Sequence, residues 1–282
     1  MKIGISGASG HLGQKILSLL VQQDTDHRFV GISRSPQNII APAEGRFGDY
    51  NNLESLAQAY EGLDRLLIIP SADLEPGVRS NQLRAAINAA RHAGVTHVFL
   101  MSAAGTREEP APSLWEAYWA GEQALIKTTP RWTILRMNYY AESLADEIKM
   151  SLDSGVLAGL GDERVAFVSR DDVAAAAAGA LLGEGHAGAI YNLTGPAAVT
   201  GPERAAIVST IVGKPLDYIN ITIEQLRAGL ASAGLPEVVL GAMTDIKTSF
   251  IKGRFDIVTG DIEHLSRQPP KVLSDVLAAE LA

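Results

Sequence analysis

The chain has 282 residues, 46% of them hydrophobic, enough to build one large α/β domain with a small lobe attached and too apolar for a disordered or fibrous protein. It contains no cysteine, which excludes a disulfide framework, a thiolate metal site and a cysteine nucleophile. A formal net charge of -8 opposes broad attraction to nucleic acid or anionic lipid, so a small molecule is the expected partner.

Met1-Lys2-Ile3-Gly4-Ile5-Ser6 reads as a strand rather than a leader, and no stretch reaches the ~20 apolar residues of a membrane span, so the expected location is the cytoplasm. Short runs rich in Ile, Val and Leu follow one another at Ile3 to Ser6, Phe29 to Ile32, Leu66 to Ile69, Val98 to Ser102 and Trp132 to Leu135. Between them, Leu12 to Gln22, Leu53 to Tyr60, Val78 to His92 and Leu114 to Lys127 repeat apolar residues at helical spacing. Strands without polar alternation, separated by helices, predict a parallel sheet covered on both faces. A weaker run from Arg46 to Asp49 is expected to be a short third strand.

Beyond Leu135 the pattern loosens. Gly155 to Gly161 reads as a glycine-rich turn region, followed by the segment Arg164 to Val168. Ser169 and the acids Asp171 and Asp172 then cap an alanine run that predicts a closely packed helix. A strand from Ala189 to Leu193, a helix from Pro202 to Val212, a strand near Leu216 to Ile221 and helices from Ile223 onward complete the reading. The expectation is a Rossmann-type, doubly wound parallel sheet with a smaller α+β C-terminal lobe. Residues 1–150 form the nucleotide-binding core, joined by a returning contribution from about 165–195, and 151–282 mainly form the substrate lobe. No repeat or tether separates the two.

Ser6-Gly7-Ala8-Ser9-Gly10-His11-Leu12-Gly13 follows the first strand and enters the first helix. Gly7 allows the tight turn, Gly10 lets a pyrophosphate approach the backbone, and Gly13 lets the helix pack against the sheet. The helix N-terminus supplies free N–H groups and partial positive charge to the phosphates, with Ser9, His11 and Leu12 beside them. At the end of the second strand, where an acid usually holds the ribose 2′-hydroxyl of NAD, the residues are Ile32-Ser33-Arg34-Ser35. Arg34 can pair with a 2′-phosphate through its planar fork, so NADP(H) is the expected cofactor. Asp49 and Tyr50 follow the third strand, where they can contact the adenine; capping the next helix is an alternative for Asp49.

These features, with Gly48-Asp49-Tyr50, Leu67-Ile68-Ile69-Pro70-Ser71, Ala89 to Val95, Leu135-Arg136-Met137-Asn138-Tyr139-Tyr140 and Ile190-Tyr191-Asn192-Leu193, give a chain that resembles the NmrA-like, atypical short-chain dehydrogenases. Within that group it is most similar to quinone reductases and triphenylmethane reductases. The resemblance implies bound NADPH and direct hydride transfer to a flat conjugated acceptor such as a quinone, in an enzyme whose relatives are often homodimers. It also places Pro70, Ser71 and Ser102 along the cofactor.

The chain departs from ordinary short-chain dehydrogenases in one respect: where they carry Tyr-x-x-x-Lys, it has Tyr118-Trp119-Ala120-Gly121-Glu122. A carboxylate four residues on opposes phenolate formation where lysine would favour it, which argues against alcohol dehydrogenation. Met137 stands where the quinone-reducing relatives carry asparagine, with Asn138 beside it. Tyr139 and Tyr140 sit at the carboxyl edge of the sheet, where open sheets bind ligands. Met137, Asn138, Tyr139 and Tyr140 are thus the candidate acceptor pocket. His27, His92, His97, His186 and His264 are expected at helix ends or in loops without metal-ligand spacing. The alternative function is an NADP(H)-binding redox sensor of the NmrA type that does not turn the cofactor over.

Overall fold

A computed structural model of the protein describes residues 1–23, 26–111 and 113–282. Along the first half run β1 (Lys2–Ser6), α1 (His11–Gln23), β2 (Arg28–Ser33), β3 (Glu44–Phe47), α2 (Leu53–Tyr60), β4 (Arg65–Ile68), α3 (Val78–His92), β5 (His97–Ala103), α4 (Leu114–Thr128) and β6 (Trp132–Met137). The second half contributes α5 (Ala141–Ser151), β7 (Val156–Gly159), β8 (Arg164–Val165), α6 (Arg170–Leu182), β9 (Ala189–Leu193), β10 (Val199–Thr200) and α7 (Gly201–Val212). It ends with β11 (Asp217–Asn220), α8 (Ile223–Ser232), α9 (Glu237–Ile251), α10 (Asp261–Ser266) and α11 (Leu273–Leu281).

Seven strands form one parallel sheet in the order β3-β2-β1-β4-β5-β6-β9. The chain winds outward from β1 through β2 and β3, then crosses to β4 on the other side of β1. The strand order therefore reverses between β1 and β4, and a crevice opens there at the carboxyl ends. Burial explains the strand composition: every residue of β5 is buried, because helices cover both faces. On one face Leu12, Ile16, Leu17 and Leu20 of α1 pack with Val173, Ala177 and Leu181 of α6. On the other, Leu56 and Tyr60 of α2, Leu83 and Ile87 of α3, and Leu125 of α4 form a separate core.

The alanine run behaves as its caps predict. Ser169 Oγ accepts the amide of Asp172 at 3.0 Å, and Asp171 and Asp172 lie in the first turn. Its short side chains let α6 lie close to α1 on one side and to α10 on the other, where Ile262 and Leu265 join the same core. Two readings of the sequence are corrected. The third strand lies at Glu44–Phe47, two residues earlier than expected. The glycine-rich segment 155–161 is not only a turn, since it holds β7, which pairs in parallel with β11. A third core, built on Trp115, Phe167, Phe250 and Phe255, joins α4 and α5 to α7, α9 and α11. Among the described residues no helix is long and apolar enough to cross a membrane.

Candidate functional site

The turn after β1 is set by Gly7, whose φ of 89° belongs to the left-handed region that a side chain rarely tolerates. The amides of Gly7 and Ala8 are held by the carbonyl of Ile32 at 3.0 and 3.1 Å, which ties the loop to β2. A Cβ on Gly13 would lie 2.4 Å from the carbonyl oxygen of Gly7, so only glycine lets α1 start this close to the loop. By contrast, a Cβ on Gly10 would meet only that oxygen, at 3.5 Å, which leaves the backbone open towards the cleft. The first amides of α1 have no intrahelical partner and face an anion-sized approach.

A cleft of about 630 Å³ runs across the carboxyl edge of the sheet from this loop, within the range of small-molecule and cofactor sites. Gly7, Ser9, Gly10, His11, Leu12 and Gly13 line its middle, and Arg34, Asp49 and Tyr50 one end. Arg34 is exposed at the rim and makes no ion pair among the described residues, so its guanidinium is available to a phosphate. Ser33 lines the cleft beside it and accepts the amide of Ser35 through Oγ at 3.0 Å. Asp49 does not cap α2. It accepts the amide of Asn51 at 2.9 Å, and the cap is Asn52, whose side chain accepts the amide of Ser55. Tyr50 donates its hydroxyl to the carbonyl of Ile69 at 2.7 Å, and burial pushes its pKa up, so it remains a neutral phenol.

Pro70 and Ser71 line the cleft beyond β4. Ser71 Oγ donates to Gln82 Oε1, and the Gln82 amide donates to Asn51 Oδ1 at 3.1 Å, fastening the loop after β4 to α3 and to the segment after β3. At the far end stand Met101, Met137, Tyr118, Tyr140, Arg79 and Arg170. The guanidinium of Arg170 lies over the Tyr140 ring at 5.1 Å, and the Tyr140 hydroxyl donates to Met137 Sδ at 2.8 Å. Burial raises the pKa of Tyr140, followed by its proximity to Tyr118. This end is aromatic and sulfur-lined, and its cations come from α3 and α6.

Three expected site residues lie elsewhere. Ser102 is fully buried and donates to Glu122 at 2.6 Å, because alternation along β5 turns Met101 to the cleft and Ser102 away from it. Asn138 is buried as a structural brace: its amide donates to the carbonyl of Phe255 at 3.1 Å, and its Oδ1 accepts the amide of Tyr139 at 2.7 Å. Tyr139 faces a second cavity of about 570 Å³ and donates to Glu147, which also accepts Lys247 Nζ. Of the acceptor-pocket candidates, Met137 and Tyr140 reach the cleft.

Glu122 also differs from the expectation. Its buried carboxylate accepts Arg136 Nε at 2.9 Å and Nη2 at 2.6 Å, so its charge is matched and does not act on Tyr118 as a free anion. Arg79, Gln82, Tyr118 and Arg170 were not singled out as cleft residues by the sequence. The available signal was the spacing of α3, where Arg79 and Gln82 fall on one face at the helix start. His97 is not at a helix end or in a loop; it is buried in β5, its Nε2 2.8 Å from Thr133 Oγ1. Among the described residues no group of three or more His, Asp or Glu side chains is placed to hold a metal ion.

Comparison with known proteins agrees with this arrangement. Residues 7–183 match a family model described as NAD(P)H-binding. The chain is 32% identical over 256 residues to quinone oxidoreductase 2 of Escherichia coli, covering 89% of this chain and 88% of that protein. The crystal structure of the NADPH-dependent quinone oxidoreductase from Escherichia coli in complex with NADPH superposes with a TM-score of 0.92 at 30% identity, covering 99% of this chain and 100% of that one. The Citrobacter sp. triphenylmethane reductase complexed with NADP(H) gives 0.89 at 28% identity, with 99% of each chain covered. A glycine cradle at the first strand-to-helix turn, a cleft at the strand-order reversal and a family match across more than half of the chain agree: the protein belongs to the NAD(P)H-binding, NmrA-like family of oxidoreductases.

Proposed function

We propose that the protein is an NADPH-dependent reductase that transfers hydride to a quinone or a similar conjugated acceptor. The observation that carries this reading is the layout of the cleft: an exposed arginine with no ion pair among the described residues at one end, free helix amides in the middle, and at the other end an aromatic, sulfur-lined chamber that also holds Arg79 and Arg170. In this reading Arg34 holds the 2′-phosphate, with Ser33 beside it, and the loop from Gly7 to Gly13 holds the pyrophosphate. Pro70 and Ser71 border the second ribose, and Met101, Met137, Tyr118 and Tyr140 enclose the reacting ring and the acceptor. A bound reduced nicotinamide supplies the hydride; the protein supplies placement and exclusion of water.

The residues at the reacting end suit an acceptor that takes hydride before its proton. Tyr140 is held neutral and its hydroxyl is directed at Met137. Glu122 is committed to Arg136 and Ser102. Neither is placed to relay a proton in step with hydride transfer, and a reduced quinone draws its proton from solvent.

Purified protein mixed with naphthoquinone should consume NADPH far faster than NADH, followed as loss of reduced-nicotinamide absorbance. Arg34→Glu should raise the KM for NADPH by roughly tenfold to a hundredfold, the worth of a charge-assisted contact, with little change for NADH. NADPH bound without turnover of any quinone would contradict the reading and favour a redox sensor.

A further inference from the structure

Arg79 is a buried cation without an anion. It is 6% exposed at the start of α3, and its side chain reaches the reacting end of the cleft. Its Nε donates to the carbonyl of Ser71 at 3.0 Å, and the guanidinium carbon lies 5.2 Å from the centroid of the Tyr118 ring. No carboxylate pairs with it and neither Nη group has a hydrogen-bond partner among the described residues. Asp73, the acid that shares the cleft lip, turns its carboxylate to the amide of Glu75 at 3.0 Å.

The other buried arginines of the molecule differ. Arg204 is paired with Glu163, and Arg65 with Glu184 and two backbone carbonyls. Arg79 is held by the Tyr118 face and one carbonyl, and its Nη groups, which are not among the enclosed polar atoms that lack a partner, stay open to solvent and so to a ligand. Arg79 lines the end of the cleft that the reductase reading gives to the acceptor, and also a neighbouring cavity beside Asp73 and Leu114.

We infer that Arg79, oriented by Ser71 and Tyr118, is an oxyanion-binding subsite for the acceptor and selects substrates that become oxyanions when reduced. The inference rests on the reductase reading above. A quinone that accepts hydride gains two electrons and one hydrogen nucleus while the dinucleotide is oxidised. The hydride forms an O–H bond at one carbonyl oxygen, both carbonyl π bonds are lost as the ring aromatises, and the product is a hydroquinone monoanion with its charge on the other oxygen. Solvent then supplies the second proton. The Nη groups of Arg79 meet that charge as it forms, a role that a preorganised donor fills without reorganisation. A cationic triphenylmethane dye takes the same hydride at its central carbon and becomes neutral, so it develops no oxyanion and a nearby guanidinium only repels it.

The test compares naphthoquinone with malachite green, in wild type, Arg79→Lys and Arg79→Gln, with NADPH affinity followed by fluorescence. Arg79→Gln should lower kcat for the quinone on the order of tenfold to a hundredfold. Its effect on KM should be smaller, its NADPH affinity should stay within about twofold, and the quinone-to-dye ratio of kcat/KM should fall at least about tenfold. Arg79→Lys, which keeps the charge, should recover part of the quinone rate. Equal losses with quinone and dye, or a lysine variant no better than the glutamine one, would assign Arg79 a purely structural role and overturn the inference. Absence of quinone turnover in the wild type would remove the reductase reading together with it, whereas turnover indifferent to Arg79 would remove this inference alone.

Discussion

At the scale of single residues, the site divides into those whose role follows from adjacent neighbours and those assembled from afar. The loop from Gly7 to Gly13 was legible because its chemistry is contiguous: turn, approach and packing each demand glycine at a fixed offset. Arg34 was legible for the same reason, as the residue that replaces an expected acid. Ser102 and Asn138 were misread because position at a strand end does not fix the face. Side chains alternate, so Met101 enters the cleft while Ser102 turns to Glu122, and Tyr140 enters it while Tyr139 turns to Glu147. Glu122 was read as a bare charge because its partner, Arg136, stands on the neighbouring strand, although an arginine inside a buried strand already announces a need for an anion.

His97 supplies a prediction at this scale. Thr133 donates its hydroxyl to the carbonyl of His186 at 2.6 Å, so its oxygen accepts from His97 Nε2–H, and the buried Nδ1 is left without a partner. Burial, reinforced by Arg131 and Arg65, pushes the His97 pKa down from 6.5 to about 4. The unfolded chain therefore takes up this proton first, and the folded form loses stability as pH falls from about 6.5 towards about 4. Urea unfolding across that window should show a shallower acid loss for His97→Leu than for wild type; equal slopes would show that His97 does not contribute.

At the scale of elements, periodicity found the strands and helices of the first half because a sheet buried on both faces writes continuous apolar runs. It failed at β7, a four-residue strand between glycines whose partner, β11, lies about sixty residues on in sequence, so no local signal marks the pairing. The first turn of α1 has the tightest fit in the site. Gly13→Ala places a methyl 2.4 Å from the Gly7 carbonyl, so either the loop or the helix must shift. The expected result is a loss of about 1–3 kcal/mol in urea unfolding together with weaker NADPH binding, because the same shift misplaces the phosphate-binding amides. Unchanged stability with unchanged affinity would mean that α1 has freedom to move.

At the scale of the whole molecule, the chain closes on its own beginning. α6 lies against α1, and α10, far downstream, covers α6 on the same face. The sequence division into an N-terminal core and a C-terminal lobe did not foresee this last return, because a six-residue helix carries too little pattern to show which core it joins. The cleft is likewise a product of the whole: β1, β2, β5, β6 and the loop after β4 set its floor, while α3, α4 and α6 bring Arg79, Tyr118 and Arg170 to one end.

In the proposed mechanism this cleft aligns a reduced dinucleotide for direct hydride transfer. The measurement that tests it is the rate of naphthoquinone reduction with NADPH deuterated on one or the other face of the nicotinamide C4, together with the fate of the label. A single rigid cleft predicts a deuterium isotope effect from one face only, with dinucleotide oxidised and quinone reduced in equal amounts. Tight NADPH binding without oxidation, or oxidation insensitive to both labels and independent of the acceptor, would contradict the account.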